Sequence, residues 1–173
     1  RQDPLPGTKL SVEQLRQQGD ATPLDWATIV RAVALDLAPL IAERQLDFEL
    51  DAVPATVRGH EWALRELTRN LLHNAVKMSP AGGSLSLRLL ADGQAAALVV
   101  ADSGPGLSDT QRERLFQPFA AGAGRGGSGL GLAICQEIVH TLGGSITLEN
   151  RLDQGRVAGL DATVRLALAQ NPG

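Results

Sequence analysis

The sequence predicts an α+β fold, a two-layer sandwich in which about three helices pack on one face of a mixed five-stranded sheet. Two observations support this fold class. Stretches with helical spacing of apolar residues are separated by stretches that alternate as strands. The strands outnumber the helices, and some of them arrive as adjacent pairs joined by short turns. Layering the helices on one side of such a sheet buries the apolar faces of both.

The first half of the chain supplies two helices. Asp25 to Glu43 repeats apolar residues at helical spacing, and Asp25 is placed to cap the start. Residues 46–50 alternate as a strand, and 53–58 form another short strand candidate. The second helix is expected at about 60–78, because a proline and a glycine pair follow it.

The second half supplies the remaining strands and one more helix. Residues 84–91 and 95–101 form a hairpin, because Asp92-Gly93 joins them. A third helix follows the glycine-rich tract 121–131 and ends at Leu142-Gly143-Gly144. Two strands, 145–150 and 161–169, close the chain around a turn at 153–155.

Composition fits a single globular domain of 173 residues with 43% hydrophobic residues. We expect the domain at 21–169, preceded by a linker or a helix remnant at 1–20 and followed by a disordered tail at 170–173. Since the sequence starts on Arg1, it looks like a piece of a longer chain. A net charge of −3 argues against a nucleic-acid surface. The lone Cys135 excludes an internal disulfide framework, and no stretch approaches the roughly 20 apolar residues of a membrane span.

The second helix carries polar residues on one face. At about 100° per residue, Glu66, Asn70, Asn74 and Lys77 fall within a narrow arc, while the leucines point away. A solvated face of an amphipathic helix would look the same. However, an amide oxygen suits Mg²⁺, an ammonium suits phosphate and a carboxylate can orient an attacking group, so this face is a candidate site for a magnesium triphosphate.

Two glycine-containing stretches add to this hypothesis. Asp102 ends an apolar strand, where a carboxylate is costly unless something satisfies it, and Gly104 and Gly106 leave room for a flat ligand. A plain turn is the alternative. The tract 124–133 contains a formal G-x-G-x-x-G, but no strand precedes it, so a dinucleotide site is disfavoured. The tract is better explained as a glycine-rich loop that leads into the N-terminus of a helix, where the free N–H groups and the helix dipole suit a phosphate.

In this order, ELTRNLLHNAVKMSP, DSGPG, FQPF and GSGLGLAICQEIVHTLGG closely resemble the catalytic and ATP-binding domain of bacterial two-component sensor histidine kinases. These domains belong to the Bergerat or GHKL superfamily, and the resemblance covers about 23–168. It implies a Bergerat fold that binds ATP between the helices and the sheet, under a lid.

The resemblance also implies roles for individual residues. Glu66 assists the transfer, Asn70 is the Mg²⁺ ligand, and Asn74 and Lys77 contact phosphate. Asp102 reads adenine, with Gly104 and Gly106 beside it. The remaining ATP-binding candidates are Met78, Phe119, Arg125, Gly127, Ser128, Gly129, Leu130 and Gly131. Met78 stands where relatives often carry an aromatic residue, which predicts a lower nucleotide affinity.

These kinases phosphorylate a histidine on a dimerisation domain, and none of His60, His73 and His140 fits that acceptor. We therefore expect the domain to donate the γ-phosphoryl of Mg-ATP to a phosphoacceptor domain that lies outside this sequence, with a response regulator downstream. The fragment is expected to be soluble and monomeric. The full-length protein is expected to be a homodimer anchored at the cytoplasmic face of the inner membrane.

Three alternatives remain at this point. A gyrase-type or MutL-type ATPase is disfavoured, because no aspartate lies beside the asparagine of the second helix. An anti-sigma-factor-type serine kinase is nearer in pattern. A nucleotide-binding sensor without turnover is the non-enzymatic alternative.

Overall fold

A computed structural model describes residues 21–115 and 128–169. The predicted segments 1–20 and 170–173 lie outside the described residues. The elements follow one another in the order β1 (Thr22–Asp25), α1 (Trp26–Glu43), β2 (Asp47–Ala52), β3 (Thr56–Gly59), α2 (Glu61–Met78), β4 (Ser84–Ala91), β5 (Ala95–Ala101), α3 (Asp109–Leu115), α4 (Ser128–Thr141), β6 (Ser145–Asp153) and β7 (Arg156–Ala167).

The main sheet has five strands in the order β2-β4-β5-β7-β6. β2 runs parallel to β4, and the other neighbouring pairs are antiparallel, so the sheet is mixed. Alternate residues of β4, namely Leu85, Leu87 and Leu89, are buried in the core that the sheet shares with the helices. The predicted fold class is therefore confirmed.

The start of α1 follows the sequence prediction closely. Asp25 is the N-cap, and its side chain accepts a hydrogen bond from the Ala27 N–H at 3.1 Å. The next residue, Trp26, is fully buried, and its Nε1 donates to Thr68 Oγ1 of α2 at 3.1 Å. This bond satisfies the indole N–H inside the core, so it fixes α1 against α2.

A second, smaller sheet was not predicted. β1 and β3 pair antiparallel, with Thr22 opposite Gly59. The expected strand at 53–58 therefore begins later, at Thr56, and it lies outside the main sheet. Val57 of this strand also forms an isolated bridge with Leu168. This small sheet holds the start and the end of the described chain together.

The helix α3 was not predicted either. Its start carries a reciprocal capping box, in which the Gln111 N–H donates to Ser108 Oγ and the Ser108 N–H donates to Gln111 Oε1. The distances are 2.9 Å for the Ser108 N–H and 3.1 Å for the Gln111 N–H. The pattern Ser-x-x-Gln is a local signal for a helix start, so this element was readable from the sequence.

The last hairpin is longer than predicted, because β6 extends to Asp153 and β7 begins at Arg156. The turn between them has positive φ at both Gln154 and Gly155, the geometry of a tight two-residue hairpin loop. α4 ends as predicted, with Gly143 at φ +76°. None of the helices in the described parts of the chain has the length and apolar character needed to cross a membrane.

Candidate functional site

The polar face of α2 exists as predicted. Glu66, Asn70 and Asn74 are partly exposed, and Lys77 is exposed in the last turn. The apolar residues of the same helix are buried, including Leu64, Leu67, Leu71, Ala75 and Val76. The helix therefore turns its amides, carboxylate and ammonium away from the core.

Asn70 is oriented by the residue one turn before it. Its Nδ2 donates to the main-chain oxygen of Glu66 at 2.8 Å and to Glu66 Oε2 at 3.2 Å. These bonds use the amide nitrogen. Within the described residues, Asn70 Oδ1 accepts no hydrogen bond. Glu66 therefore presents the amide oxygen of Asn70 as a free, hard ligand.

Asp102 lies just beyond the end of β5 and is 3% exposed. Its Oδ1 accepts from the N–H groups of Gly104 at 2.9 Å and Leu160 at 3.1 Å. Oδ2 receives no hydrogen bond from the residues that the structure describes. Burial raises the pKa of this carboxyl above its ordinary value, against the lowering effect of the two N–H donors and of Arg151. Oδ2 of Asp102 therefore remains available to accept a hydrogen bond from a ligand.

The loop after Asp102 is seated on the end of α2. A Cβ at Gly104 would overlap the carbonyl oxygen of Met78 and lie 3.1 Å from its carbonyl carbon. The neighbouring Ser103 reinforces the contact, because its N–H donates to Ser79 Oγ at 3.5 Å and its Oγ accepts from the Ser84 N–H at 3.0 Å. The carboxylate of Asp102 is in this way held beside the C-terminal turn that carries Met78.

Gly106 requires glycine for two reasons. Its φ is +75°, and a Cβ there would lie 2.5 Å from Asn150 Oδ1 and 2.6 Å from Val157 Cγ1. Asn150 itself clamps the next residue, since its Oδ1 accepts from the Leu107 N–H and its Nδ2 donates to the Leu107 carbonyl, both at 2.8 Å. No local pattern pointed to Asn150 as a site residue, because Asn150 and Leu107 are 43 positions apart.

The second glycine tract is only partly described. Phe119, Arg125 and Gly127 lie outside the described residues. Ser128, Gly129, Leu130 and Gly131 form the first turn of α4, which begins at Ser128. α4 packs against α2, and the buried Cys135 Sγ contacts the Leu67 carbonyl oxygen at 3.8 Å. The N-terminus of α4 therefore belongs to the helix layer that also contains the polar face of α2.

The three histidines occupy different positions. His60 precedes α2 as its N-cap without a capping side-chain bond, and His73 and His140 are exposed on α2 and α4. Partial burial lowers the pKa of His73, and the charges of Lys77 and Arg69 add to the effect. These effects favour the neutral form of the His73 imidazole.

A magnesium ion fits this donor set when the phosphates of a nucleotide supply most of its ligands. The described residues contain no group of three or more His, Cys, Asp and Glu side chains arranged to hold a metal. Mg²⁺ needs no such cage, because it commonly uses one or two protein oxygens together with phosphates and water. The free Oδ1 of Asn70 would supply one such oxygen.

Comparison with known proteins agrees with the fold and the motifs. The family described as "Histidine kinase-, DNA gyrase B-, and HSP90-like ATPase" matches residues 59–170. This range runs from the end of β3 through β7 and includes all described site residues. The chain therefore belongs to the histidine kinase-, DNA gyrase B- and HSP90-like ATPase family.

Individual relatives indicate which type of protein within this family the chain resembles. Over 160 residues the chain is 33% identical to adaptive-response sensory kinase SasA of Synechococcus sp. (strain JA-3-3Ab), covering 88% of this chain and 42% of that protein. It is 38% identical over 118 residues to the histidine-protein kinase/phosphatase MprB of Mycobacterium ulcerans (strain Agy99), covering 66% of this chain and 23% of that protein. The chain thus spans less than half the length of these relatives.

A solved structure gives the same result at the level of the fold. The mycobacterial sensor histidine kinase MprB superposes with a TM-score of 0.74 at 29% identity, covering 87% of this chain and 99% of that one. Within its family, this chain is a catalytic ATP-binding domain of the sensor histidine kinase type.

Proposed function

We propose that this domain binds Mg-ATP and donates the γ-phosphoryl group to a histidine on the dimerisation and phosphoacceptor domain of a two-component sensor kinase. One observation carries the proposal. The buried Asp102 keeps Oδ2 free of donors while its loop is packed onto the end of the polar face of α2. A base-reading acceptor and a phosphate-binding face therefore belong to one continuous surface.

Asp102 is suited to reading adenine. An ionised carboxylate only accepts hydrogen bonds, so its free oxygen selects a ligand with an amine donor, such as the exocyclic amine of adenine. Gly104 and Gly106 keep side chains away from the plane beside it. The carbonyl of guanine at the corresponding position would face Oδ2 without a proton between them, so the site should discriminate against GTP.

The polar face of α2 is suited to the triphosphate. Lys77 supplies a positive charge for phosphate oxygens, and Asn74 supplies an amide donor. Asn70 would hold Mg²⁺ through Oδ1, and the metal would neutralise charge on the phosphate oxygens. Glu66 accepts a hydrogen bond from the Asn70 amide and would orient the acceptor imidazole. Phosphoryl transfer depends mainly on such positioning and charge neutralisation.

We place the acceptor histidine on another domain, because none of His60, His73 and His140 lies in the sequence pattern of a phosphoacceptor helix. We propose that the whole protein is a homodimer held at the cytoplasmic face of the bacterial inner membrane and that it passes its phosphoryl group to a response regulator. The isolated domain is then a monomer that binds nucleotide but barely turns over.

The first test is calorimetric titration of Mg-ATP into the wild-type domain and into Asp102→Asn. An asparagine either removes the charge of the free acceptor oxygen or places an amide donor there, so we expect ATP affinity to fall about 10- to 100-fold, in line with a lost hydrogen bond to a charged group. Arg165→Met, on the far part of β7, is the control and should bind as the wild type does. Equal affinity of Asp102→Asn and the wild type would contradict the adenine assignment.

The second test is phosphotransfer from γ-labelled ATP to a dimerisation and phosphoacceptor domain supplied as a separate polypeptide. Acid-labile, base-stable label on that domain is the expected result for phosphohistidine. Acid-stable label would indicate a serine kinase instead. Nucleotide binding without any label would indicate a nucleotide sensor without turnover, and either result would overturn the proposed activity.

A further inference from the structure

Arg151 of β6 reaches across the sheet to the main chain of Asp102. Its Nη2 donates to the Asp102 carbonyl oxygen at 2.6 Å. Its Nη1 donates to Asp161 Oδ1 of β7 in an ion pair whose side chains are 38% and 35% exposed. One guanidinium therefore joins the peptide of Asp102 to a carboxylate on the neighbouring strand, using the fixed fork of donors that arginine provides.

The strand β7 holds Asp102 from the same side. The Asp102 N–H donates to the Leu160 carbonyl at 3.0 Å, and the Leu160 N–H donates to Asp102 Oδ1 at 3.1 Å. In the sheet register, Asp161 pairs with Ala101, the residue before Asp102. The backbone and one carboxylate oxygen of Asp102 are thus fixed by three hydrogen bonds from residues 160 and 151.

Gly159 makes room for this arrangement. A Cβ at this position would overlap both the Asp102 carbonyl oxygen and the Nη2 of Arg151. Because one of these atoms is backbone, the loop would have to move to accept any side chain. A glycine is therefore required where the guanidinium meets the Asp102 peptide.

We propose that Arg151, oriented by Asp161, is a positioning residue that aims the free carboxylate oxygen of Asp102 at the nucleotide base. This inference rests on the proposed function, since it assigns a second layer of residues to the same site. Arg151 does not touch the base. It acts through the Asp102 peptide and through its charge.

Arg151 and Asp161 also change the pKa of the Asp102 carboxyl through their charges. Arg151 lowers the pKa of the Asp102 carboxyl, and Asp161 raises it, on top of the increase caused by burial. Further charges lie on the open face of the sheet, where a shallow depression of about 400 Å³ is lined by Arg151, Asp161, Arg88, Asp47 and Glu49. On β6, Glu149 pairs in register with Asp161. Of these charged groups, Arg151 and Asp161 are the two that shift the pKa of the Asp102 carboxyl.

Because Arg151 and Asp161 carry opposite charges, removing one or the other should shift the pH dependence of ATP binding in opposite directions. Asp102 accepts from adenine when ionised, so affinity is lost as the pH falls through its pKa. Removing Arg151 should move this acidic limb to higher pH, and removing the charge of Asp161 should move it to lower pH. A purely structural role would loosen the site in both variants and move the two limbs in the same direction.

The experiment is calorimetric titration of Mg-ATP between pH 4.5 and 8 with the wild-type domain, Arg151→Met, Arg151→Lys and Asp161→Asn. We expect Arg151→Met to lower affinity about tenfold at pH 7.5 and Asp161→Asn to lower it less than threefold. Arg151→Lys keeps the charge but lacks the fork, so it should retain the wild-type acidic limb with an intermediate affinity.

Arg165→Met is the matched control, because it removes another arginine–aspartate pair of the same sheet, Arg165 with Asp92 at 3.3 Å, far from Asp102 in the register. It should bind as the wild type does. Thermal unfolding of each variant at pH 7.5 shows that the protein used is folded, and Asp161→Asn provides the readout if Arg151→Met does not fold.

Wild-type binding that is too weak to measure would count against the proposed function itself. Wild-type binding together with unchanged affinity and an unchanged acidic limb in Arg151→Met would overturn the positioning role alone. Limbs that move in the same direction in Arg151→Met and Asp161→Asn would also overturn it.

Discussion

Gly104 lies against the carbonyl group of Met78, so the loop that contains Asp102 rests directly on the last turn of α2. No side chain separates the two backbones. The distance between Asp102 and the polar face of α2 is therefore set by main chain rather than by adaptable side chains.

Gly104→Ala should destabilise the domain and weaken nucleotide binding together. The added Cβ would overlap the Met78 carbonyl oxygen, and such overpacking typically costs about 1–3 kcal/mol. For a domain of this size that lowers the melting temperature by roughly 2–4 °C for each kcal/mol. Gly93→Ala is the control, because nothing lies within 4 Å of its Cβ position. If Gly104→Ala and Gly93→Ala have the same melting temperature and the same ATP affinity, the close approach of Gly104 to Met78 contributes nothing to stability or binding.

Asn70→Asp should weaken the magnesium-dependent part of ATP affinity. The substitution keeps an oxygen but removes the amide donor, and it opposes a new carboxylate to Glu66 Oε2, now 3.2 Å from Asn70 Nδ2. Repulsion between the two carboxylates would turn the new side chain out of the orientation in which Glu66 holds Asn70, so we expect the affinity gained on adding Mg²⁺ to fall about tenfold or more. Calorimetric titration with Mg²⁺ and with EDTA separates the two contributions. The control on the same helix is Arg69→Gln, because Arg69 faces Asp36 of α1.

Asp102→Asn should make the ligand-free domain more stable at neutral pH. Burial raises the pKa of Asp102 in the folded state above its unfolded value, so the ionised carboxyl lowers stability at high pH. This loss of stability disappears as the pH falls through the pKa that Asp102 has in the folded state. Thermal unfolding across pH should therefore give a higher melting temperature for the variant at pH 7.5, by roughly 2–4 °C for each kcal/mol gained, and a difference that shrinks at acidic pH. A lower melting temperature at pH 7.5 would contradict a net cost of ionisation.

Met78→Tyr should raise nucleotide affinity. Met78 is 39% exposed at the end of α2, beside the Asp102 loop, so an aromatic ring there can stack on the base. Stacking of a base on an aromatic side chain is worth about 1–3 kcal/mol relative to alanine, and methionine already supplies part of that contact, so a gain of about three- to tenfold is expected. Leu35→Tyr, at an exposed position of α1, is the control. An unchanged affinity in Met78→Tyr would place the base away from this residue.

The helices and the polar face of α2 were predictable because their signals are local. The spacing of Glu66, Asn70, Asn74 and Lys77 follows the helical repeat, and the buried leucines between them define the opposite face. Asp25 capped the first helix as its position suggested. The fold class followed from these elements and from the hairpin at Asp92-Gly93.

The remaining features depend on contacts between distant parts of the chain. Pairing of β1 with β3 joins residues 31 to 37 positions apart, and neither strand is apolar enough to be recognised from the sequence. Arg151 reaches a carbonyl 49 positions away. A surface arginine at the end of a strand has many possible partners, and only the folded sheet selects the Asp102 peptide. The helix α3 differs, since its capping box was visible in Ser108 and Gln111.

The small sheet brings the two ends of the described chain together at β3. Val57 lies between Leu24 of β1 and Leu168, and the Ala169 N–H donates to the Thr56 carbonyl at 2.8 Å. Chain entering at residue 21 and chain leaving at residue 169 are therefore tied to the same four-residue strand. One short strand therefore holds the two ends of the described chain side by side, outside the main sheet.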